Sequence, residues 1–181
     1  MALGAVTALA DAYDDAINAY RAGNYDTAYS AFLKLHEADA ADVQTLGYLG
    51  AASNRLGKPE QALEWISKAL DQIEDMPVPG SSDSEMDRNV IWLGYEAITS
   101  YKLMGDTVSA LTILDDLAMS YPSDMMIAEE RATTLVQAGC YDQGRAALRD
   151  IIGRDTDDVR VQDRRGLLHD LGTLPAKREW R

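Results

Sequence analysis

The sequence predicts an all-α protein, a solenoid of stacked antiparallel helix pairs, on three observations. Leu46, Leu49-Gly50, Leu56-Gly57-Lys58-Pro59, Ala62, Ile66 and Ala69 place apolar and small residues at helical spacing on both sides of a Gly–Pro break. That pattern describes two short amphipathic helices joined by a tight turn. The turn recurs: Gly23 and Gly57 lie 34 residues apart, and so do Gly105 and Gly139. Gly57 and Gly105 are 48 apart, one such period with 14 residues added. A fixed period of this length marks a repeat architecture, in which each helix pair buries its apolar face against the next.

Taken in order, repeat one spans residues 9–42. Its first helix, residues 5–21, is rich in Ala, the best helix former. Gly23-Asn24 supplies a left-handed stop. Its second helix, residues 25–37, sets Ala28, Phe32 and Leu35 on one core-facing side. Repeat two spans residues 43–76. Gly50 and Ala62 allow close approach of its helices, Pro59 opens the second helix where a missing N–H costs nothing, and Trp65 packs beside Ile66. Residues 77–89 are an insertion, in which Pro77, Pro79, Gly80, Ser81 and Ser82 cannot continue a helix. Ser82-x-x-Glu85 forms a capping box that opens a long helix over residues 83–104.

Repeat three spans residues 90–122. Two registers fit its first helix: one puts Ile98 at the small position, the other puts Ala97 there by matching Leu93-Gly94-Tyr95 to Leu46-Gly47-Tyr48. Its second helix, residues 106–120, carries Ala110, Leu114 and Leu117, and Tyr121-Pro122 closes it. Repeat four spans residues 123–156, with Ser123 as N-cap and Ala132, Leu135 and Val136 inward. Gly144 occupies the place held by Ala28, Ala62 and Ala110. A mid-helix Gly costs about 1 kcal/mol relative to Ala, so it marks either a very close helix contact or a tolerated substitution. Residues 157–181 are a polar capping helix, over 157–171, and a short basic tail containing Trp180. The whole, residues 1–181, reads as one domain.

Composition bounds the chemistry. The chain has 181 residues, 46% of them hydrophobic, and a formal net charge of −13. Residues 1–130 carry a net −15 and residues 131–181 a net +2. Such acidity argues against a nucleic-acid partner, because phosphate contacts dominate that affinity. No apolar run reaches the about 18 residues of a membrane span. The single Cys140 excludes an intrachain disulfide and reads as a packed thiol. The apolar start, Met1–Ala10, has no Lys or Arg before it, so a secretory leader is not expected and a cytoplasmic location is. There is no phosphate loop, no paired-cysteine pattern and no Gly-x-Ser-x-Gly elbow. His36 and His169 lie far apart. No cofactor, metal site or catalytic residue is expected, and the chain does not read as an enzyme.

The order Leu46, Leu49-Gly50, Ser53, Ala62 and Ile66, with its 34-residue period, resembles the tetratricopeptide repeat family. Phe32 and Pro122 stand at the family's Phe and Pro places, whereas Ser53 replaces its aromatic and Glu74 its terminal Pro. The resemblance implies a right-handed superhelix whose concave wall is lined by first helices and binds peptides or partner helices. Carried onto this chain, the concave places include Ile17, Gln44, Ala51, Thr99 and Thr133. The candidate partner-binding residues there are Tyr13, Asp14, Tyr20, Tyr48, Asn54, Arg55, Trp92, Tyr95, Glu96, Glu129 and Glu130. Tyr and Trp give large contact area with a polar handle, and acidic neighbours favour a basic partner.

The expected function is therefore a protein–protein interaction scaffold or adaptor for a basic or amphipathic segment. Some family members clamp a chaperone's C-terminal carboxylate with basic residues. The matching places here hold Tyr13, Ile17, Tyr48, Trp92 and Glu96, so no such clamp is expected. A second reading is a dedicated chaperone holding an export or assembly subunit. A third is self-assembly into a homo-oligomer, motivated by the charge asymmetry.

Overall fold

The structure, a computed structural model, describes residues 2–38, 42–74 and 85–154. Eight helices run through them: α1 (Ala2–Arg21), α2 (Tyr25–Glu37), α3 (Val43–Arg55), α4 (Pro59–Glu74), α5 (Glu85–Leu103), α6 (Thr107–Ser120), α7 (Met125–Gln137) and α8 (Tyr141–Arg154). Among the described residues there is no strand. The chain divides into two compact units, residues 1–105 and residues 106–181. In the first, each helix from α1 to α5 packs on its neighbour and α3 also packs on α5. In the second, α7 packs on both α6 and α8.

The four turn glycines explain the helix pairs. Gly23, Gly57, Gly105 and Gly139 all have positive φ, between 70° and 79°. An added Cβ would meet nothing within 4 Å at any of them, so the requirement is for the backbone angle alone. Three of these turns close with the same bond five residues back: Asn24 N–H to Ala19 O (2.9 Å), Lys58 N–H to Ser53 O (2.9 Å) and Cys140 N–H to Leu135 O (2.9 Å). That bond satisfies a carbonyl the helix end would otherwise leave orphaned. The starts of α3, α6 and α7 are capped by carboxylates. Asp42 accepts from Thr45 N–H at 2.6 Å and Asp106 from Ser109 N–H at 3.1 Å. Asp124, rather than the expected Ser123, caps α7, accepting from Met126 and Ile127 N–H at 2.8 and 3.1 Å. Both donors converge on one carboxylate oxygen, Oδ1, and the carboxylate's negative charge suits the helix N-terminus.

Other glycines act by their missing volume. A Cβ on Gly50 would come within 2.8 Å of Ile66 Cγ1 and 3.3 Å of Ala62 O, which is the close α3–α4 approach expected there. At Gly144 it would come within 2.7 Å of Val136 Cγ2, so this glycine marks a tight α7–α8 contact. Ser53 is buried in place of an aromatic, its hydroxyl donating to Leu49 O at 2.7 Å. Phe32, Leu35, Leu114, Leu117, Ala132 and Leu135 are buried as expected, and Val136 is half-buried against the Ala132–Leu148–Ile151 cluster. Leu93 and Gly94 are buried and Tyr95 half-buried, the pattern of Leu46, Gly47 and Tyr48. Cys140 is buried. The insertion turn, the 82–85 capping box, His169 and the capping helix with its tail lie wholly or partly outside the described residues.

Gly57→Ala should lower stability by about 1 kcal/mol through its left-handed φ, and Gly50→Ala by about 1–3 kcal/mol through overpacking. Urea unfolding of both variants checks the order; a Gly50→Ala chain as stable as wild type would refute the packing role.

Candidate functional site

Nine of the eleven candidate residues fall in the first unit, on α1, α3 and α5; Glu129 and Glu130 are half-buried on α7 of the second. Within the first unit the aromatics form a continuous row. Tyr20 meets Tyr25 at 5.3 Å and Tyr48 at 5.4 Å, both edge-on. Tyr48 stacks flat on the buried Phe32 at 5.0 Å and meets the Trp92 ring at 5.1 Å. Tyr13 packs edge-on against Phe32 at 5.8 Å. Such pairs add about 0.5–1.5 kcal/mol each beyond their burial. Tyr13, Tyr20, Tyr48, Trp92 and Tyr95 are all half-buried, so each ring both packs within the unit and keeps some exposed area.

Glycine again sets the geometry. A Cβ on Gly47 would lie 2.4 Å from the Trp92 ring, so α3 presents a notch into which α5 sets its indole. One turn earlier on α5, Arg88 and Asn89 join Trp92, Tyr48 and Gln44 around a cavity of about 310 Å³. Gln44 is held in place: its Oε1 accepts from the Tyr13 hydroxyl at 2.9 Å, and its amide donates to Glu85 at 3.4 Å. Arg88, Asn89 and Glu85 were not anticipated. Counting three and four residues back from Trp92 along one helix face would have found the first two.

Asn54 and Glu96 were expected to line the groove; the structure buries both in the α3–α5 interface, at 4% and 7% exposure. The Asn54 amide donates to Glu96 O at 2.8 Å and to Glu96 Oε2 at 2.9 Å, and its Oδ1 accepts from the Ser100 hydroxyl at 2.7 Å. The other Glu96 oxygen faces the Arg55 guanidinium at 3.6 Å. The physical reason is demand: the α3–α5 contact brings polar groups out of water, and each must find a partner. Arg55 stays partly exposed above this network. Burial, with the nearby Glu96 charge, pushes the Tyr20 hydroxyl from its ordinary 10.0 up to about 12, Arg55 working against the shift. Burial, reinforced by Asp42, raises Tyr13 as well. Asp14 is exposed beside Tyr13.

The second unit holds a separate cavity of about 470 Å³, floored by Ala118, Ala128, Ala147 and Ile151. Its cations are engaged: Arg131 with Asp115 at 2.5 Å, Arg154 with Asp150 at 2.7 Å and with Pro122 O at 3.0 Å. Among the described residues no group of His, Cys, Asp and Glu is placed to hold a metal ion. No described helix is long and apolar enough to cross a membrane.

Asn54→Leu should destabilise the chain by about 1–3 kcal/mol by stripping buried Glu96 of its donor, and the Asn54→Leu, Glu96→Leu pair by less than the sum of the two single changes. Urea unfolding of the cycle checks this; additive losses would show that the two side chains are not coupled. A second expectation concerns alkali. Because the folded pKa of Tyr20 exceeds the unfolded one, its contribution is intact below pH 10 and fades as pH rises toward about 12. Tyr20→Phe should make unfolding free energy fall less steeply over that window.

No protein-family model matches the chain, and no curated protein matches it. Solved structures do. A tetratricopeptide repeat protein from Parabacteroides merdae ATCC 43184 superposes with a TM-score of 0.69 at 17% identity, over 92% of this chain and 60% of that one. MamA from AMB-1 gives 0.62 at 17% identity, over 91% of this chain and 82% of that one. MamA from MSR-1 gives 0.60 at 18% identity, over 90% and 85%. At these identities the likeness is one of fold, and it agrees with the 34-residue period and the paired helices: the fold of this chain is that of the tetratricopeptide repeat proteins.

Proposed function

We propose that the chain is a protein–protein interaction scaffold whose first unit takes a basic or amphipathic segment of a partner along α1, α3 and α5. The observation that carries this reading is the row of half-buried rings, Tyr13, Tyr20, Tyr48 and Trp92, beside a cavity walled by two of them. Rings already fixed by packing contribute contact area with little further loss of freedom on binding. Charge supplies the second support. Residues 1–105 hold sixteen Asp and Glu against seven Lys and Arg, a net of −9. Asp11 and Asp14 stand exposed on α1. A field of that sign accelerates encounter with a basic segment and disfavours an acidic one.

The test uses the full chain and an Asp11→Lys, Asp14→Lys variant. Both residues are exposed, so the variant should keep the wild-type circular dichroism and unfolding midpoint. A partner retained from the source lysate by wild type should be lost by the variant, and its affinity for wild type should fall as salt rises. Equal retention by a folded variant would remove α1 from the binding face. A mass that grows with concentration and shrinks with salt, with nothing else retained, would favour self-assembly instead.

A further inference from the structure

We propose that the cavity of the second unit, walled by α6, α7 and α8, is the seat of Trp180, so that residues 175–181 dock on the second unit of their own chain. The inference concerns the other unit and stands apart from the interaction reading above.

An internal comparison carries it. Helices α2, α3 and α4 recur as α6, α7 and α8 at a constant offset of 82 residues. The offset relates the turn glycines, Gly23 to Gly105 and Gly57 to Gly139, and the N-caps, Asn24 to Asp106 and Asp42 to Asp124. It also relates the first residues of the three helices. Matched positions are therefore comparable side chain by side chain. In the first copy a ring pair bridges α2 and α4: His36 meets Trp65 edge-on at 5.3 Å, and Lys68 Nζ lies 4.2 Å from the centre of the Trp65 ring. On α3 the first copy buries Leu46. In the second copy the places of His36, Trp65 and Leu46 hold Ala118, Ala147 and Ala128, the alanines that floor the cavity of about 470 Å³. The cavity thus marks where the second copy lacks an imidazole, an indole and a leucine side chain that the first copy has.

Apolar walls facing such a space forfeit the contacts that a side chain in it would make. An indole set between Ala118 and Ala147 restores the kind of bridge that Trp65 makes. The charge at the rim is reversed between the copies: Lys68 is matched by Asp150. A ring entering the second copy should therefore bring cations with it. Residues 106–154 as a whole hold eight Asp and Glu against four Arg, a net of −4.

Trp180 meets both requirements. Of the chain's three Trp, Trp65 and Trp92 are packed within the first unit, and Trp180 is the only Phe, Tyr or Trp after residue 154. Lys177, Arg178 and Arg181 stand within three residues of it, and residues 175–181 carry a net charge of +2. The chain is also long enough to return. Residues 155–181 continue from Arg154, which is itself on the cavity wall. A helix over 157–171, as predicted from the sequence, spans about 22 Å. The residues from 172 to 179 can extend about 26 Å.

The test uses the full chain labelled with 5-fluorotryptophan, the Trp180 fluorine line being identified by its loss in Trp180→Phe. Broadening of that line by a neutral soluble paramagnetic agent is compared with its broadening in the free peptide 175–181. Docking for about nine-tenths of the time lowers the broadening about tenfold. Two single variants should each restore the peptide value: Ala147→Phe, which fills the cavity with a ring, and Asp150→Lys, which puts the first copy's cation at the rim. Asp150 is exposed and its pair with Arg154 is a surface one, so the second variant should keep the wild-type unfolding midpoint. Wild-type broadening equal to that of the peptide would overturn the proposal. So would protection that a folded Ala147→Phe or Asp150→Lys chain leaves intact, which would place Trp180 elsewhere. Protection that disappears on dilution, together with a fall in mass, would give the seat to the ring of a second copy and overturn docking within one chain.

Discussion

The notch at Gly47 is the constraint on which the first unit's exposed face depends. A side chain there would collide with the Trp92 ring at 2.4 Å. With no Cβ, α5 brings its indole against α3, and Tyr48 on the next residue meets that indole at 5.1 Å. Tyr48 in turn rests flat on Phe32 from α2 and edge-on to Tyr20 from α1. Four helices are therefore tied through one phenol ring. A core contact and a surface feature are here the same object: the rings that fix the helices are half-buried, and their outer parts form the face.

The polar contacts at the other end of α3 and α5 follow from the same closeness. Helices that approach this tightly exclude water from between them, and Asn54, Glu96 and Ser100 each find partners inside the interface. Two helical neighbours, Asn54 and Arg55, divide the work. Asn54 is buried and satisfies Glu96 directly, while Arg55 answers the remaining charge from the rim. The loose 3.6 Å separation and partial exposure of Arg55 make its own energetic share small. The buried amide–carboxylate bond is the part whose loss would be felt, because it would leave a charge without a donor in a place water does not reach.

The fold was legible in the sequence because its determinants are local and periodic. A glycine that must adopt positive φ leaves a visible mark every 34 residues, and Ala28, Phe32, Ala62 and Ile66 are spaced by helix geometry alone. The candidate face was legible in part. Tyr13, Tyr20, Tyr48 and Trp92 do share one row. Asn54 and Glu96 sat at the right helical positions, but position does not tell whether a polar residue faces a partner or a neighbouring helix. That depends on how closely α3 and α5 approach, a distance set by Gly47 and read only in three dimensions. Arg88 and Asn89 were missed for a different reason. The helix over them was expected, but 77–89 was counted as insertion and the concave places of repeat three were taken only from Trp92 onward, so the turn before Trp92 was left out.

Electrostatics gives the face its direction. Counting charges over the whole chain suggests only an acidic protein, and counting concave positions suggests an acidic lining. The structure buries Glu96 and places Arg88 at the cavity beside Tyr48 and Trp92. What remains is a local cation beside two rings, set in a unit whose overall field is negative. The field acts over about 8–10 Å at physiological salt, so it is felt by an approaching molecule as a whole rather than by one of its residues.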